Sequence, residues 1–271
     1  MLQIVVPTDF SNNSYNALFY AAQLLKDKKC TFHVVNVCGN EGESKIEEAK
    51  IESAQGLDAI CHRLVRDVGK NKEHQLKKVS LCADVNKGIS NYVEEQKADL
   101  MVIGNKAKEE VKHILFGTNA MQLVREVTIC PILIVPLEID FRNVEKIGFI
   151  SNYTNPISEE NIRALQFFQT VTDSALVPMS IDDGKGEKRV LEHKKSFFTA
   201  LSEKMSKEVV LPVFGDKTKT IMEFVDLWNI DLLCMVYYPH HFFLEFIGNG
   251  IIKELNTKLT VPFLILSHQA N

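Results

Sequence analysis

The sequence has none of the features that mark membrane, secreted or nucleic-acid-binding proteins. No uninterrupted apolar run approaches the roughly 20 residues of a membrane span, so we expect no transmembrane helix and no membrane partner. Basic residues are not in excess: the net charge is -4 and the pI is about 6.1, which argues against nucleic acid as a partner. An apolar strand begins at Ile4 and leaves no room for a leader, so we expect a cytoplasmic protein.

Cysteines are few and show no metal or redox spacing. The six cysteines include no C-x-x-C pair, and no Cys/His cluster with metal-ligand spacing is present. In a chain of 271 residues this distribution indicates reduced, mostly buried thiols rather than a disulfide framework. We therefore expect no metal site. The cysteines are Cys30, Cys38, Cys61, Cys82, Cys130 and Cys234.

What the sequence does contain is an alternation of apolar strands and helical periods. Ile4–Val6, Leu100–Ile103 and Ile132–Val135 are apolar without a two-residue alternation, whereas Lys78–Cys82 is a weaker strand. Such strands, separated by amphipathic helices, predict an α/β fold with a parallel sheet covered on both faces. The length allows one large domain or two smaller ones.

The second half of the chain repeats the first. Ile147 stands 143 residues after Ile4, and Asp231 stands 132 after Asp99, each at the start of an apolar strand. A repeat of this length predicts duplicated domains rather than a solenoid. We place the domains at residues 1–139 and 144–271, with the boundary after Pro136.

A loop-plus-helix pattern follows the strand that ends at Ile103. Gly104-Asn105-Lys106-Ala107 is followed by nine residues and then by Gly117-Thr118. Glycines allow a tight turn and a close ligand approach, and a helix N-terminus offers free N–H groups to an anion. Because ligands bind where strand order reverses, Asp9, just past the first strand, should meet this loop there.

These residues resemble a known family. Val6-Pro7-Thr8-Asp9-Phe10-Ser11, the pattern G-x2-A-x9-G-T at 104–118 and Cys130-Pro131-Ile132-Leu133-Ile134-Val135 are similar to segments of the universal stress protein family. The likeness covers nearly all of residues 1–136 and, more weakly, 144–271, as in tandem members. It implies two tandem doubly wound, Rossmann-like domains of the adenine nucleotide alpha hydrolase-like type, each with a five-stranded parallel sheet. It also implies that the two domains pair through their last strands as an internal pseudo-dimer. Whether two copies of the chain form a homodimer is left open.

The resemblance further implies a nucleotide site in the first domain, for ATP or AMP, with Mg²⁺ accompanying ATP. Members with the full motif G-x2-G-x9-G-(S/T) bind ATP, and this chain departs from it at Ala107. If that position needs a positive φ, alanine costs on the order of 1 kcal/mol, although its N–H stays available. Adenosine contacts would fall on Pro7, Thr8, Asp9 and the Val37 backbone, and phosphate contacts on Gly104, Ala107, Gly117, Thr118 and Asn119.

The second domain has lost this pattern. Val236-Tyr237-Tyr238-Pro239 replaces the glycine loop, and Asn249 and Asn152 stand where Thr118 and Asp9 stood. Tyrosine and proline cannot reproduce a tight anion-binding turn, so we expect a degenerate domain without nucleotide.

Function is best predicted as a stress-response or signalling module in which phosphate orders residues 105–117 and changes the surface shown to an unknown protein partner. Three alternatives stay open. One is a slow ATP hydrolase, although no general base is evident and we assign no catalytic residue. The others are a scaffold without ligand, and a protein that binds an apolar ligand or partner through Tyr237–Phe246.

The substitution Ala107→Gly tests the departure from the motif. It removes a Cβ and permits a positive φ, so ATP should bind up to roughly fivefold more tightly in calorimetric titration. Asn249→Thr in the second domain is the control and should change nothing. An ATP affinity that is measurable but unchanged in Ala107→Gly would contradict this account of the loop.

Overall fold

The computed structural model describes residues 1–38, 42–105, 118–136, 139–182, 188–201, 205–206, 208–212, 217–238 and 261–267. The chain forms two compact units that divide between Phe141 and Arg142. Ala107 and Gly117 lie outside the described residues, as do 239–246 of the aromatic segment and Asn249. Of the helices in the described ranges, none is long and apolar enough to cross a membrane.

Unit 1 is a doubly wound parallel sheet in the order β3-β2-β1-β4-β5. The strand order reverses between β1 and β4, which places the crossover point at their carboxyl ends. The elements are β1 Leu2–Pro7, α1 Asn12–Leu24, β2 Cys30–Val37, α2 Gly42–Val68, β3 His74–Leu81, α3 Val85–Glu95, β4 Leu100–Gly104, α4 Thr118–Glu126 and β5 Ile132–Val135.

Unit 2 has the same topology. Its parallel strands follow the order β10-β9-β6-β7-β8, so β6 and β9 take the places of β1 and β4. The predicted fold class is confirmed. The described elements are β6 Lys146–Ser151, α5 Glu159–Thr172, β7 Ala175–Asp182, α6 Lys188–Ala200, β8 Val209–Pro212, α7 Lys217–Trp228, β9 Leu232–Tyr237 and β10 Phe263–Ser267.

An aspartate ties the first and fourth strands together in both units. Asp99 Oδ2 accepts a hydrogen bond from the Gln3 N–H at 2.7 Å, and the Asp99 N–H donates to the Gln3 carbonyl at 2.8 Å. Asp231 makes the same two bonds with Lys146, at 2.9 and 3.0 Å. The sequence correspondence between Asp99 and Asp231 is therefore a correspondence of structure.

The third strand is longer than predicted. We expected it at Lys78–Cys82, but β3 begins at His74 and ends at Leu81. It lies at the sheet edge, where Gln75, Lys77 and Lys78 are exposed. The prediction was wrong at both ends because a half-solvated edge strand carries polar side chains that weaken the apolar signal.

A buried histidine on β2 links the sheet to α3. The His33 ring is 1% exposed, with Nε2 2.8 Å from Gln3 Oε1 and Nδ1 2.7 Å from Tyr92 Oη. A neutral ring satisfies both partners by donating from Nε2 and accepting from the tyrosine hydroxyl. Burial, followed by the nearby Lys77 charge, lowers the pKa of His33.

This geometry predicts that unit 1 loses stability in mild acid. The unfolded chain protonates His33 near its ordinary value of 6.5, whereas the folded chain resists protonation. The contribution of neutral His33 to the free energy of unfolding is therefore fully present above about pH 6.5 and is lost as pH falls through the lowered pKa of the folded state. Urea unfolding at a series of pH values should show this slope, and His33→Gln should flatten it. Equal slopes in both proteins would contradict the assignment.

Candidate functional site

The chain passes from β1 into α1 through a turn held by short polar side chains. Thr8 Oγ1 accepts a hydrogen bond from the Phe10 N–H at 3.0 Å and lies 3.0 Å from Ser14 Oγ. Asp9 Oδ1 accepts from the Ser11 N–H at 3.1 Å and from Ser11 Oγ at 2.5 Å. Ser11 in turn caps α1. This network fixes Asp9 at the exposed carboxyl edge of the sheet.

A residue in the left-handed region lies at the centre of the turn. Phe10 has φ 63°, a conformation that costs a non-glycine residue roughly 1–2 kcal/mol. Unit 2 repeats the arrangement: Tyr153 has φ 55°, its N–H donates to Ser151 Oγ at 3.0 Å, and Asn152 Oδ1 accepts from the Thr154 N–H at 3.2 Å. Both units therefore hold an aromatic residue in a disfavoured conformation.

Gly104 is required by packing against α1. A Cβ built on it would lie 2.7 Å from the Asn13 carbonyl oxygen and 2.9 Å from Asn13 Cγ. Since such a contact is not tolerated, α1 approaches the end of β4 more closely than any side chain at 104 allows. We expected this glycine to serve the turn and the ligand; the structure gives it a role in helix packing. Asn13 Oδ1 is buried and has no hydrogen-bond partner among the described residues.

A cavity of about 360 Å³ lies between the carboxyl ends of the sheet and α2. The Phe10 ring forms one wall and rests on Gly56 of α2, where a Cβ would come within 2.6 Å of the ring. The cavity lies beside the predicted adenosine contacts, because Phe10 follows Asp9 in the chain. Its lining residues are Phe10, Asn36, Cys38, Ile46, Ala49, Glu52 and Ser53.

Asn36 is a site residue that sequence reasoning missed. Its buried side chain donates from Nδ2 to the Thr8 carbonyl at 2.8 Å and so joins the ends of β1 and β2. The sequence does hold a signal, since Asn36 is a polar residue between Val35 and Val37 near the end of a buried strand. On α2, the helical spacing of Ile46, Ala49 and Ser53 marks them as inward-facing, but nothing in the sequence marks them as part of a site.

The structure places five of the predicted site residues along one edge of the sheet. They are Pro7, Thr8, Asp9, Val37 and Gly104, at the carboxyl ends of the neighbouring strands β2, β1 and β4. Thr118 and Asn119 form the start of α4, which carries no acidic residue in its first turn. Ala107 and Gly117 stay predictions from sequence.

The corresponding edge of unit 2 is occupied by tyrosines. Tyr153 is 1% exposed, whereas Phe10 is 39% exposed. The centroid of the Tyr153 ring lies 5.7 Å from that of Phe197 on α6. Burial raises the pKa of Tyr153. Tyr238, the first residue after β9, donates from its hydroxyl to the Pro156 carbonyl at 3.0 Å. Aromatic side chains thus fill the space beside the turn after β6.

A family model matches the first half of the chain. The model of the universal stress protein family aligns with residues 1–136, which include all of unit 1 up to the end of β5. The chain belongs to the universal stress protein family. The predicted resemblance is therefore confirmed.

Individual relatives agree with this assignment. A universal stress protein of Methanocaldococcus jannaschii is 26% identical over 147 residues, which cover 49% of this chain and 81% of the relative. A universal stress protein structure from Archaeoglobus fulgidus DSM 4304 matches with a TM-score of 0.74 and 16% identity, over 98% of this chain and 96% of that one. A functionally unknown protein from Pseudomonas aeruginosa PAO1 matches with a TM-score of 0.57 and 16% identity, over 98% and 92%. At such identities the structural matches establish the fold.

Thr8→Val tests the turn at the carboxyl edge of unit 1 in this universal stress protein. The substitution keeps the side-chain shape but removes the oxygen that holds Phe10 in its left-handed conformation, so stability should fall by about 1–2 kcal/mol. Thr170→Val is the matched control, because that hydroxyl donates to the Gln166 carbonyl on an exposed helix face. Urea denaturation measures both. Equal losses in the two variants would show that the Thr8 hydroxyl does not hold the turn.

Proposed function

We propose that unit 1 binds an adenine nucleotide, ATP or AMP, and that the protein acts as a cytosolic stress-response or signalling module. The observation that carries this proposal is the cavity of about 360 Å³ that is lined by Phe10, the residue after Asp9. Its volume falls within the roughly 300–1,000 Å³ of small-molecule sites. Asn36 and Cys38, which flank Val37 in the chain, both line it.

The lining suits an adenosine moiety. Ile46, Ala49 and the Phe10 ring offer apolar and aromatic surface to the faces of a base. Ser53 and Glu52 supply polar groups from α2, and Asp9 stands exposed at the adjoining turn. A base held by apolar contacts and oriented by a few polar groups is the usual composition of such a site.

The phosphates are proposed to lie at the G-x2-A-x9-G-T segment. Thr118 begins α4, and the absence of acidic residues from the first turn of that helix leaves its positive dipole end available to an anion. Gly104, Ala107, Gly117, Thr118 and Asn119 would contact phosphate, with Mg²⁺ if the ligand is ATP. Phosphate contacts would order residues 105–117 and change the surface offered to a protein partner.

Unit 2 is proposed to bind no nucleotide. Tyr153 is buried against α6, and the Tyr238 hydroxyl reaches back to Pro156, so both side chains occupy the edge at which Asp9 and Phe10 are exposed in unit 1. Val236 stands at the position of Gly104 and is itself buried. These substitutions support a division of roles between a ligand-binding unit and a degenerate one.

Filling the cavity tests the proposed function. Ala49→Phe places a large ring where the base would lie, so ATP affinity should fall at least about tenfold in calorimetric titration. Ala54→Phe is the matched control, because the same substitution one helical turn later lies on an exposed face of α2 and should leave affinity within about twofold.

The titration is run with ATP, ADP, AMP and GTP against the full chain. Tighter binding of the adenine nucleotides than of GTP supports a base site in the cavity. If no nucleotide binds at millimolar concentration, even with Ala107→Gly, the scaffold alternative replaces this proposal. Equal effects of Ala49→Phe and Ala54→Phe would place the base elsewhere.

A further inference from the structure

Two cysteines meet at the carboxyl ends of neighbouring strands. Val37 of β2 and Leu81 of β3 are register partners, and Cys38 and Cys82 are the residues that follow them. The Cys38 N–H donates to the Leu81 carbonyl at 2.9 Å, which continues the backbone hydrogen bonds between β2 and β3 as far as the two cysteines. The two Sγ atoms lie 2.8 Å apart. The pair is separated by 44 residues in sequence and was not predicted.

These thiols are also the accessible ones. Cys82 is exposed and Cys38 is half-buried, whereas the other four cysteines are buried. Burial raises the pKa of the Cys30 and Cys61 thiols to about 11 and that of Cys130 to about 12, which keeps them protonated and unreactive. Because Cys38 and Cys82 reach the surface and the other four thiols do not, an oxidant in solution reaches this pair first.

We propose that Cys38 and Cys82 form a reversible intramolecular disulfide when the protein meets hydrogen peroxide. The Cys82 sulfur attacks the peroxide O–O bond, becomes a sulfenic acid and releases one water. The Cys38 sulfur then attacks the sulfenic sulfur, forms the S–S bond and releases a second water. Two thiols lose two electrons and two protons in total, and the peroxide is reduced to water.

The backbone already has the separation that a disulfide needs. Neighbouring strands lie about 4.8 Å apart, and disulfide-linked residues have Cα atoms roughly 4.4–6.8 Å apart. The sulfurs have to close from 2.8 Å to about 2.05 Å, which side-chain rotation supplies. A metal site is less well supported, because no group of three His, Cys, Asp or Glu side chains in the described ranges could hold an ion.

The surroundings set the conditions for the reaction. The hydrogen bond with Cys38, followed by burial, raises the pKa of Cys82. The charged groups that act on this thiol are Lys50, which opposes the shift, and Glu47, which adds to it, both on α2. Because the thiolate is the attacking species, oxidation should be slow at neutral pH and faster as pH rises.

The test oxidises the reduced full chain with hydrogen peroxide, blocks remaining thiols with N-ethylmaleimide and maps cysteines by mass spectrometry without reduction. We expect a Cys38–Cys82 cross-linked peptide, a mass loss of two hydrogens and full recovery of both thiols with dithiothreitol. Cys30 and Cys61 serve as internal controls and should be found neither oxidised nor in a cross-link. Recovery of both Cys38 and Cys82 as thiols, or cross-links through other cysteines, would overturn the proposal.

Single variants separate the pair from ordinary thiol oxidation. In Cys38→Ser the cross-link disappears, and the Cys82 sulfenic acid persists long enough to be trapped by dimedone. In Cys82→Ser the cross-link also disappears. If wild-type Cys82 gives as much dimedone adduct as Cys38→Ser, then Cys38 does not resolve the sulfenic acid and the proposal fails. The readout needs no nucleotide, so it is independent of the proposed function.

Discussion

The carboxyl edge of the first sheet depends on one turn, which takes the chain from β1 into α1 within four residues. Thr8 and Ser11 close the turn through side-chain hydrogen bonds, and Phe10 between them adopts a left-handed conformation. Each hydrogen bond contributes about 1 kcal/mol, which together offset the backbone cost of Phe10. The turn fixes Asp9 and aims the Phe10 ring at Gly56, so it forms both the exposed carboxylate and a wall of the cavity.

Sequence predicted the fold because the strands nearest the centre of each sheet are apolar on both faces. The apolar runs Ile4–Val6 and Leu100–Ile103 indicate buried parallel strands, and the correspondence of Asp99 with Asp231 indicates a duplicated unit. The bounds of the edge strand β3 were predicted less well, since its exposed lysines interrupt the apolar pattern that marks a strand. Strand positions are thus predictable from sequence where the strand is completely buried, and less so where it is partly exposed.

Sequence predicted less of the site. The residues after β1 and β4 were proposed as site residues because they follow strand ends, whereas Ile46, Ala49 and Ser53 of α2 show in the sequence only as the buried face of a helix. Periodicity indicates which face of a helix points inward, but whether that face meets packed side chains or a cavity depends on how the helix docks. The contact between Cys38 and Cys82 likewise depends on the register of β2 against β3, a property of the assembled sheet. An aromatic residue at a positive φ was unpredictable from propensity, which disfavours it.

The turn is present in both units although only the first carries the glycine-rich pattern. Thr8-Asp9-Phe10-Ser11 and Ser151-Asn152-Tyr153-Thr154 share a hydroxyl, an acceptor, a left-handed aromatic and a second hydroxyl. The chain therefore contains its own comparison within a single molecule. The shared residues hold the same turn in both halves, whereas Gly104 and Val236 differ: Asn13 excludes a side chain at the first position, and a valine side chain is buried at the second.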